Sequence, residues 1–204
     1  YCMELKSGEK LLVTTTTLAE PLVSELFDQC QKAGIIMEVI FEWSGKSESF
    51  ALHGHEAQAS YVSPLYKQAV ESFDGYLVIR APFIPYASTL PPNNISGARS
   101  EAIKDLNKLY FERTATRDLK RNLCQYPTQQ GADAAGMSLE EYTDFIINAC
   151  YLNEEDPASH WVKVRESQQK VVDHLNSCLH FRYKSPVMDI TFTTEGRTWI
   201  NSDG

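Results

Sequence analysis

Lys10-Leu11-Leu12-Val13-Thr14-Thr15 and Ile35-Ile36-Met37-Glu38-Val39-Ile40-Phe41, with the segment that joins them, set the architecture of this chain. The first stretch is short, apolar and β-branched, and the turn signal Ser7-Gly8-Glu9 precedes it, so it reads as a buried strand. Leu18-Ala19-Glu20-Pro21 then opens a helix, with the proline placed where its fixed φ and missing N–H do no harm. Leu22, Val23, Leu26, Phe27 and Cys30 recur at helical spacing, and Gly34 marks the end of the element. Ile35–Phe41 is a second strand. A strand–helix–strand unit of about 30 residues is the size of a right-handed crossover joining parallel strands.

The pattern repeats further along the chain. A polar stretch through Ser49 leads to a helix expected near Glu56–Phe73, then to a third strand, Gly75-Tyr76-Leu77-Val78-Ile79-Arg80. Strands alternating with helices favour a layered, mostly parallel α/β sheet of Rossmann-like kind over hairpin barrels or helix bundles. Pro82, Pro85, Pro91 and Pro92 make a stiff loop. The apolar stripe Ala102, Ile103, Leu106, Leu109 and Tyr110 predicts one long helix near Gly97–Leu123, and Gln125–Gly136 reads as a second loop. Ser138-Leu139-Glu140-Glu141 is a capping box that starts a helix carrying Tyr142, Phe145, Ile146 and Ala149. Trp161, Val164, Gln168, Val171, Val172, Leu175 and Leu179 place another helix near Pro157–Leu179. After Pro186 alternation sets in over Val187–Thr194, with a strand-like Arg197–Ile200 beyond Gly196. The expected organisation is an α/β domain over residues 1–186, with a strand pair over 187–204 that either packs with that domain or begins a further, catalytic one.

Composition narrows the function. The 204 residues are 43% hydrophobic and 23% charged, the balance of an ordinary globular protein and not of a disordered tail. A net charge of −8 argues against a nucleic acid or an anionic membrane as partner. No apolar run reaches the ~18–20 residues of a membrane span, and Tyr1-Cys2-Met3-Glu4-Leu5-Lys6 is not a secretory signal. Five cysteines, at positions 2, 30, 124, 150 and 178, are odd in number and widely spaced, which fits reduced thiols in the cytoplasm. In that setting the sequon Asn94-Ile95-Ser96 carries no meaning.

The candidate chemistry is mostly negative. Ser44-Gly45-Lys46-Ser47 ends like a phosphate loop, but the motif's first glycine would stand at Ile40, and it also needs a helix directly afterward; a polar surface loop is expected instead. His53-Gly54-His55-Glu56 is the nearest approach to a metal cluster, since in an extended segment the two imidazoles share a face. Tight sites need three or four ligands, and no other His or Cys lies within twenty residues. His160, His174 and His180 are scattered along the late helix. There is no Gly-x-Ser-x-Gly elbow, and Thr14–Thr17 stands where a dinucleotide fold has its glycines. Glu140, Glu141, Glu154, Glu155 and Asp156 mark helix starts, where acidic groups complement the dipole. Arg113, Arg117, Lys120 and Arg121 are interleaved with Glu112 and Asp118, the pattern of a solvated helix face. No catalytic, cofactor-binding or metal-ligating residue is assigned.

Three stretches nevertheless resemble one family in order and spacing. They are Leu18-Ala19-Glu20-Pro21-Leu22-Val23, Gly136-Met137-Ser138-Leu139-Glu140-Glu141-Tyr142 with Asp144-Phe145, and Glu195-Gly196-Arg197-Thr198-Trp199-Ile200-Asn201. Tyr126-Pro127-Thr128 and the segment from Asp156-Pro157 to Trp161 fit as well. Together they are similar to the amino-terminal half of the thermophilic metallo-aminopeptidases, of the aminopeptidase T and aminopeptidase S type. The resemblance implies a cytoplasmic homodimer that removes amino-terminal residues from peptides with two divalent metals, zinc or cobalt. Those paired metals would activate a bridging water and polarise the scissile carbonyl. It also implies that the Glu, His and Asp ligands lie in a carboxy-terminal domain, the first of them a short way beyond the stretch matching Asn201–Gly204. On this reading the 204 residues are scaffold, bind no metal and are inactive alone. The competing reading is a non-catalytic α/β binding or dimerisation module.

Overall fold

The computed structural model describes residues 2–83 and 92–202; Pro85 and Pro91 of the expected stiff loop, and Asp203-Gly204 of the expected final turn, lie outside them. The described residues divide into two compact units, Met3–Ile146 and a smaller one made of residues 147–202 with Cys2.

The larger unit is built on β1 (Lys10–Thr16), β2 (Ile36–Glu42), β3 (Gly75–Arg80) and β4 (Lys120–Gln125). They form one sheet in the order β2-β1-β3-β4, and every pair is parallel. The Rossmann-like α/β expectation is met. Leu11, Leu12, Val13 and Thr15 are all buried, as they must be in an inner strand with a layer on each face.

A 3-10 turn, Thr17–Ala19, leads from β1 into α1 (Glu20–Ala33). Thr16 Oγ1 accepts from Leu18 N at 3.3 Å and starts the turn. Gly34 ends α1 at φ +72°, its N–H donating to Gln31 O while Ile35 N donates to Cys30 O at 2.9 Å. Glycine suits this position, because the backbone is left-handed and a β-carbon would lie 2.5 Å from Ser7 Oγ, so that Ser7 would have to shift. α1 packs Val23 and Cys30 against Leu11, Val13, Met37, Leu77 and Ile79, which form the core on that face.

Between β2 and β3 lie α2 (Lys46–His53), α3 (Glu56–Ala59) and α4 (Pro64–Ser72). The polar stretch before Ser49 is therefore the start of a helix. The single helix expected over Glu56–Phe73 is two, because Pro64 lacks the N–H needed to continue from α3 and opens α4 instead.

The expected long helix near Gly97–Leu123 is also corrected. It comprises α5 (Asn93–Ala102), α6 (Lys104–Ala115) and β4. Arg117 at φ +62° turns the chain out of α6, and Lys120 N then donates to Asp74 O at 2.8 Å to begin pairing with β3. The open edge of β3 offers backbone partners along Gly75–Arg80, and those override local helical periodicity. Likewise the Gln125–Gly136 loop contains α7 (Gln129–Ala135), started by Thr128 Oγ1 accepting from Gly131 N at 3.1 Å and ended by Gly136 at φ +67°. The Ser138 capping box is present: Glu141 N donates to Ser138 Oγ at 3.2 Å and Ser138 N to Glu141 Oε2 at 2.8 Å, opening α8 (Leu139–Ala149).

In the smaller unit α9 (Pro157–Asn176) is followed by β5 (His180–Ser185) and β6 (Met188–Thr193), an antiparallel pair. The strand pair expected within 187–204 is thus made by Met188–Thr193 with an earlier partner, and Arg197–Ile200 is not a strand. The chain reverses at Pro186-Val187, so the proline serves as a turn between strands.

Two side-chain assemblies lock the second face of the sheet. Tyr66 of α4, Tyr76 of β3 and Tyr110 of α6 meet edge to face at 6.1 Å and 5.9 Å. Arg113 of α6 donates to Val70 O at 2.6 Å, Phe73 O at 3.0 Å and Asp118 O at 2.9 Å, closing the last carbonyls of α4 and the turn into β4. Charge-assisted bonds of this kind contribute about 1.5–3 kcal/mol, so Arg113→Ala is expected to lower the unfolding free energy by about 2 kcal/mol or more in urea titration. Arg113→Lys should recover little of the loss, because an ammonium cannot reproduce the guanidinium fork.

Candidate functional site

In an open parallel sheet, ligands bind beyond the carboxyl ends of the strands where the strand order reverses. Here that reversal lies between β1 and β3, because the chain leaves β1 for β2 on one side and then crosses to β3 on the other. Four threonines, Thr14–Thr17, occupy the end of β1. Thr15 Oγ1 donates to Ile79 O at 2.8 Å, Thr16 Oγ1 donates to Ala81 O, and Thr14 Oγ1 donates to Tyr76 OH at 3.3 Å. These hydroxyls tie β1 to β3 where a dinucleotide fold opens a glycine-rich turn, so the reversal point is occupied by the protein's own bonds. Tyr66 and Tyr76 sit behind it with phenols pushed above the usual tyrosine range, chiefly by burial.

At the end of β2, Gly45 adopts φ +82° and Lys46 begins α2, so a helix does follow Ser44-Gly45-Lys46-Ser47 directly, contrary to the surface-loop expectation. Lys46 Nζ lies 2.7 Å from Glu42 Oε1 and 5.3 Å from the centre of the Trp43 ring. Ile40 is inside β2, so the glycine cradle of a phosphate loop is absent.

His53 is the last residue of α2, and His55 precedes Glu56 at the start of α3. Gly54 and His55 are extended but His53 is helical, so the segment is extended only in part. Gln58 Oε1 accepts from His55 N at 2.9 Å, which gives this corner a capping role. Among the described residues, no three His, Cys, Asp or Glu side chains converge in a way that could hold a metal ion.

The acidic helix starts are engaged locally. Hydrogen bonds from the Ser138 backbone N–H and hydroxyl hold the Glu141 carboxyl below its ordinary range. Asp156 is lowered by the Ser159 hydroxyl and then by the Ser159 N–H, which lies 3.1 Å from Oδ1 at the start of α9. Glu140 and Glu155 are exposed. Glu154 lies 3.0 Å from His160 Nδ1, and that imidazole stacks on Tyr151 with centroids 3.6 Å apart. Of the other histidines, His174 is in the last turn of α9, while His180 opens β5 and is not helical.

The basic residues are not one helix face. Arg113 lies on α6, Arg117 in the turn after it, and Lys120 and Arg121 on β4. Lys120 Nζ reaches Glu9 Oε2 at 2.8 Å and Glu4 O at 3.1 Å. The amino-acid pattern hides the structural work of Arg113 and Lys120, because by charge alternation both belong to a single helix.

The fold of this chain is shared by the solved structure of wild-type AmpT from Thermus thermophilus, with a TM-score of 0.73 at 18% identity over 94% of this chain. The chain spans 50% of the length of that protein. No curated protein matches the sequence. The model of the thermophilic metalloprotease family (M29) matches residues 1–204, and the chain belongs to that family. The family expected from the three ordered motifs is therefore the family found.

The Lys120 ammonium, through its hydrogen bond, holds the Glu9 carboxyl below its ordinary value of 4.5. A depressed folded-state value stabilises above the unfolded value and loses that contribution as the pH falls through the folded one. Glu9→Gln is therefore expected to cost stability at neutral pH. The difference from the parent chain should begin to shrink below about pH 4.5 and vanish at still lower pH, as followed by urea melts across the acid range.

Proposed function

We propose that this chain is the amino-terminal half of a metal-dependent aminopeptidase and that it supports a catalytic domain in the remainder of the protein. The observation that carries the reading is the match of the M29 family over residues 1–204, the whole of the chain. The chain's 50% span of AmpT is consistent with a partner domain of similar size.

The described residues do not fit the divalent metals that the family description implies, because their carboxylates and imidazoles do not converge in threes. In this reading the metals, zinc or cobalt, and all their ligands belong to the carboxy-terminal half. The domain division runs as 1–186 and 187–204, with the pairing of His180–Ser185 to Met188–Thr193 bridging it, and the second segment is the approach to the catalytic domain. Peptides are the substrates, reached through that domain, and the parent is a cytoplasmic homodimer. Support for a reducing compartment comes from the cysteines at 2, 30, 124, 150 and 178, which are odd in number and widely spaced. Among the described residues no helix is long and apolar enough to cross a membrane.

The proposal is tested by expressing the coding sequence through to its stop codon, loading the product with zinc or cobalt, and assaying leucyl-amide cleavage. The longer chain should release leucine and lose the activity to a chelator, while residues 1–204 alone should show none. A metal-loaded full-length protein that leaves leucyl amides intact would remove the aminopeptidase assignment. Cleavage by the 204-residue chain alone would remove the scaffold role.

A further inference from the structure

The smaller unit leaves large hydrophobic side chains exposed, Leu179, Tyr183, Met188 and Ile190 among them. In the β5–β6 pair, Phe181 stands opposite Phe192, Tyr183 opposite Ile190 and Ser185 opposite Met188. Side chains alternate along a strand, so these six share one face, and the alternate set shares the other. That second face is suited to water, with Arg182 forked onto Asp189 at 2.8 Å and 2.6 Å.

The apolar face differs between its ends. Near the start of β5, Phe181 stacks on Phe192 at 5.4 Å and Trp199 leans on Phe181 at 5.5 Å. Toward the turn, Tyr183 is 51% exposed, Ile190 49% and Met188 44%. Among the described residues of 147–202, no hydrophobic side chain belongs to the buried core. A two-stranded hairpin is marginal by itself in water, and a sheet with one apolar face is normally matched by a second layer.

We infer that the outer part of this face, around Tyr183, Met188 and Ile190, is the seat of an apolar layer supplied by the continuing chain of the same protein. The occupant is indicated by the coverage: the fold matches AmpT over 94% of this chain but spans only 50% of that one, so a protein built like AmpT has as much chain again to lay down. Covalent attachment also holds such a layer at high effective concentration. The inference rests on the reading that the chain is half of a longer peptidase.

Amide hydrogen exchange over Phe181–Phe192 is the test, run on residues 1–204 and on the product of the coding sequence read to its stop codon, with leucyl-amide cleavage assayed on the same samples. The hairpin should exchange rapidly in the shorter chain and be slowed by a factor on the order of 100 in the longer one. Ile190→Glu should abolish that slowing while leaving exchange in β1 and β3 unchanged. Three results overturn the inference: equal exchange in both chains, a stop codon directly after Gly204, or a self-associated shorter chain that already protects the hairpin. Protection without cleavage would sink the aminopeptidase reading and leave the docking surface standing, whereas cleavage without protection would do the reverse.

Discussion

A parallel strand with water on neither face is the constraint that organises the larger unit. β1 is hydrogen-bonded to β2 on one side and β3 on the other, and Leu11, Leu12 and Val13 leave almost no surface to solvent. Parallel pairing requires each return of the chain to cross a face of the sheet, so α1 must lie on one side and the α4 and α6 tyrosine contacts on the other. Gly34 and Thr16 answer the same demand. One ends α1 abruptly enough to enter β2, and the other turns the end of β1 into the helix that covers it.

That constraint also shapes the chemistry of the sheet's carboxyl edge. Where many α/β proteins leave backbone N–H groups open toward a phosphate, the hydroxyls of Thr14, Thr15 and Thr16 are spent on Tyr76, Ile79 and Ala81. Lys46 is committed in the same way to Glu42 near that edge, and Lys120 to Glu9 at the opposite, amino edge. The threonine hydroxyls and Lys120 hold separate elements together. The smaller unit differs in kind: Arg182 is forked onto Asp189 within it, but Trp199 Nε1 and Asn201 Oδ1 are buried without a hydrogen-bond partner among the described residues, and its hydrophobic side chains stay outside the buried core.

Much of this is legible in the amino-acid order. β1, α1 and β2 carry strong periodicity and clear stop signals, and the capping box at Ser138 names its own geometry. The departures have a common cause. Arg113 through Leu123 has the alternating charges of an exposed helix, yet its later part becomes β4 because β3 has an edge to fill. His180–Ser185 does not read as a strand by itself, because its partner, Met188–Thr193, supplies the hydrogen bonds that make it one. For the candidate site, local spacing is enough to dismiss a phosphate loop at Lys46, but the helix after it and the Glu42 contact required coordinates.

Fold class and family are both written in local signals (apolar periodicity, caps, and motifs in a set order), so the amino-acid order alone was enough for them. Tertiary structure settled where the chain breaks between helix and strand after Ala115, which charges meet, and which apolar face lacks a cover. Those depend on backbone edges and side chains brought together from distant positions, such as Lys120 with Glu9 or Arg113 with Val70, and no local pattern encodes the distance between them.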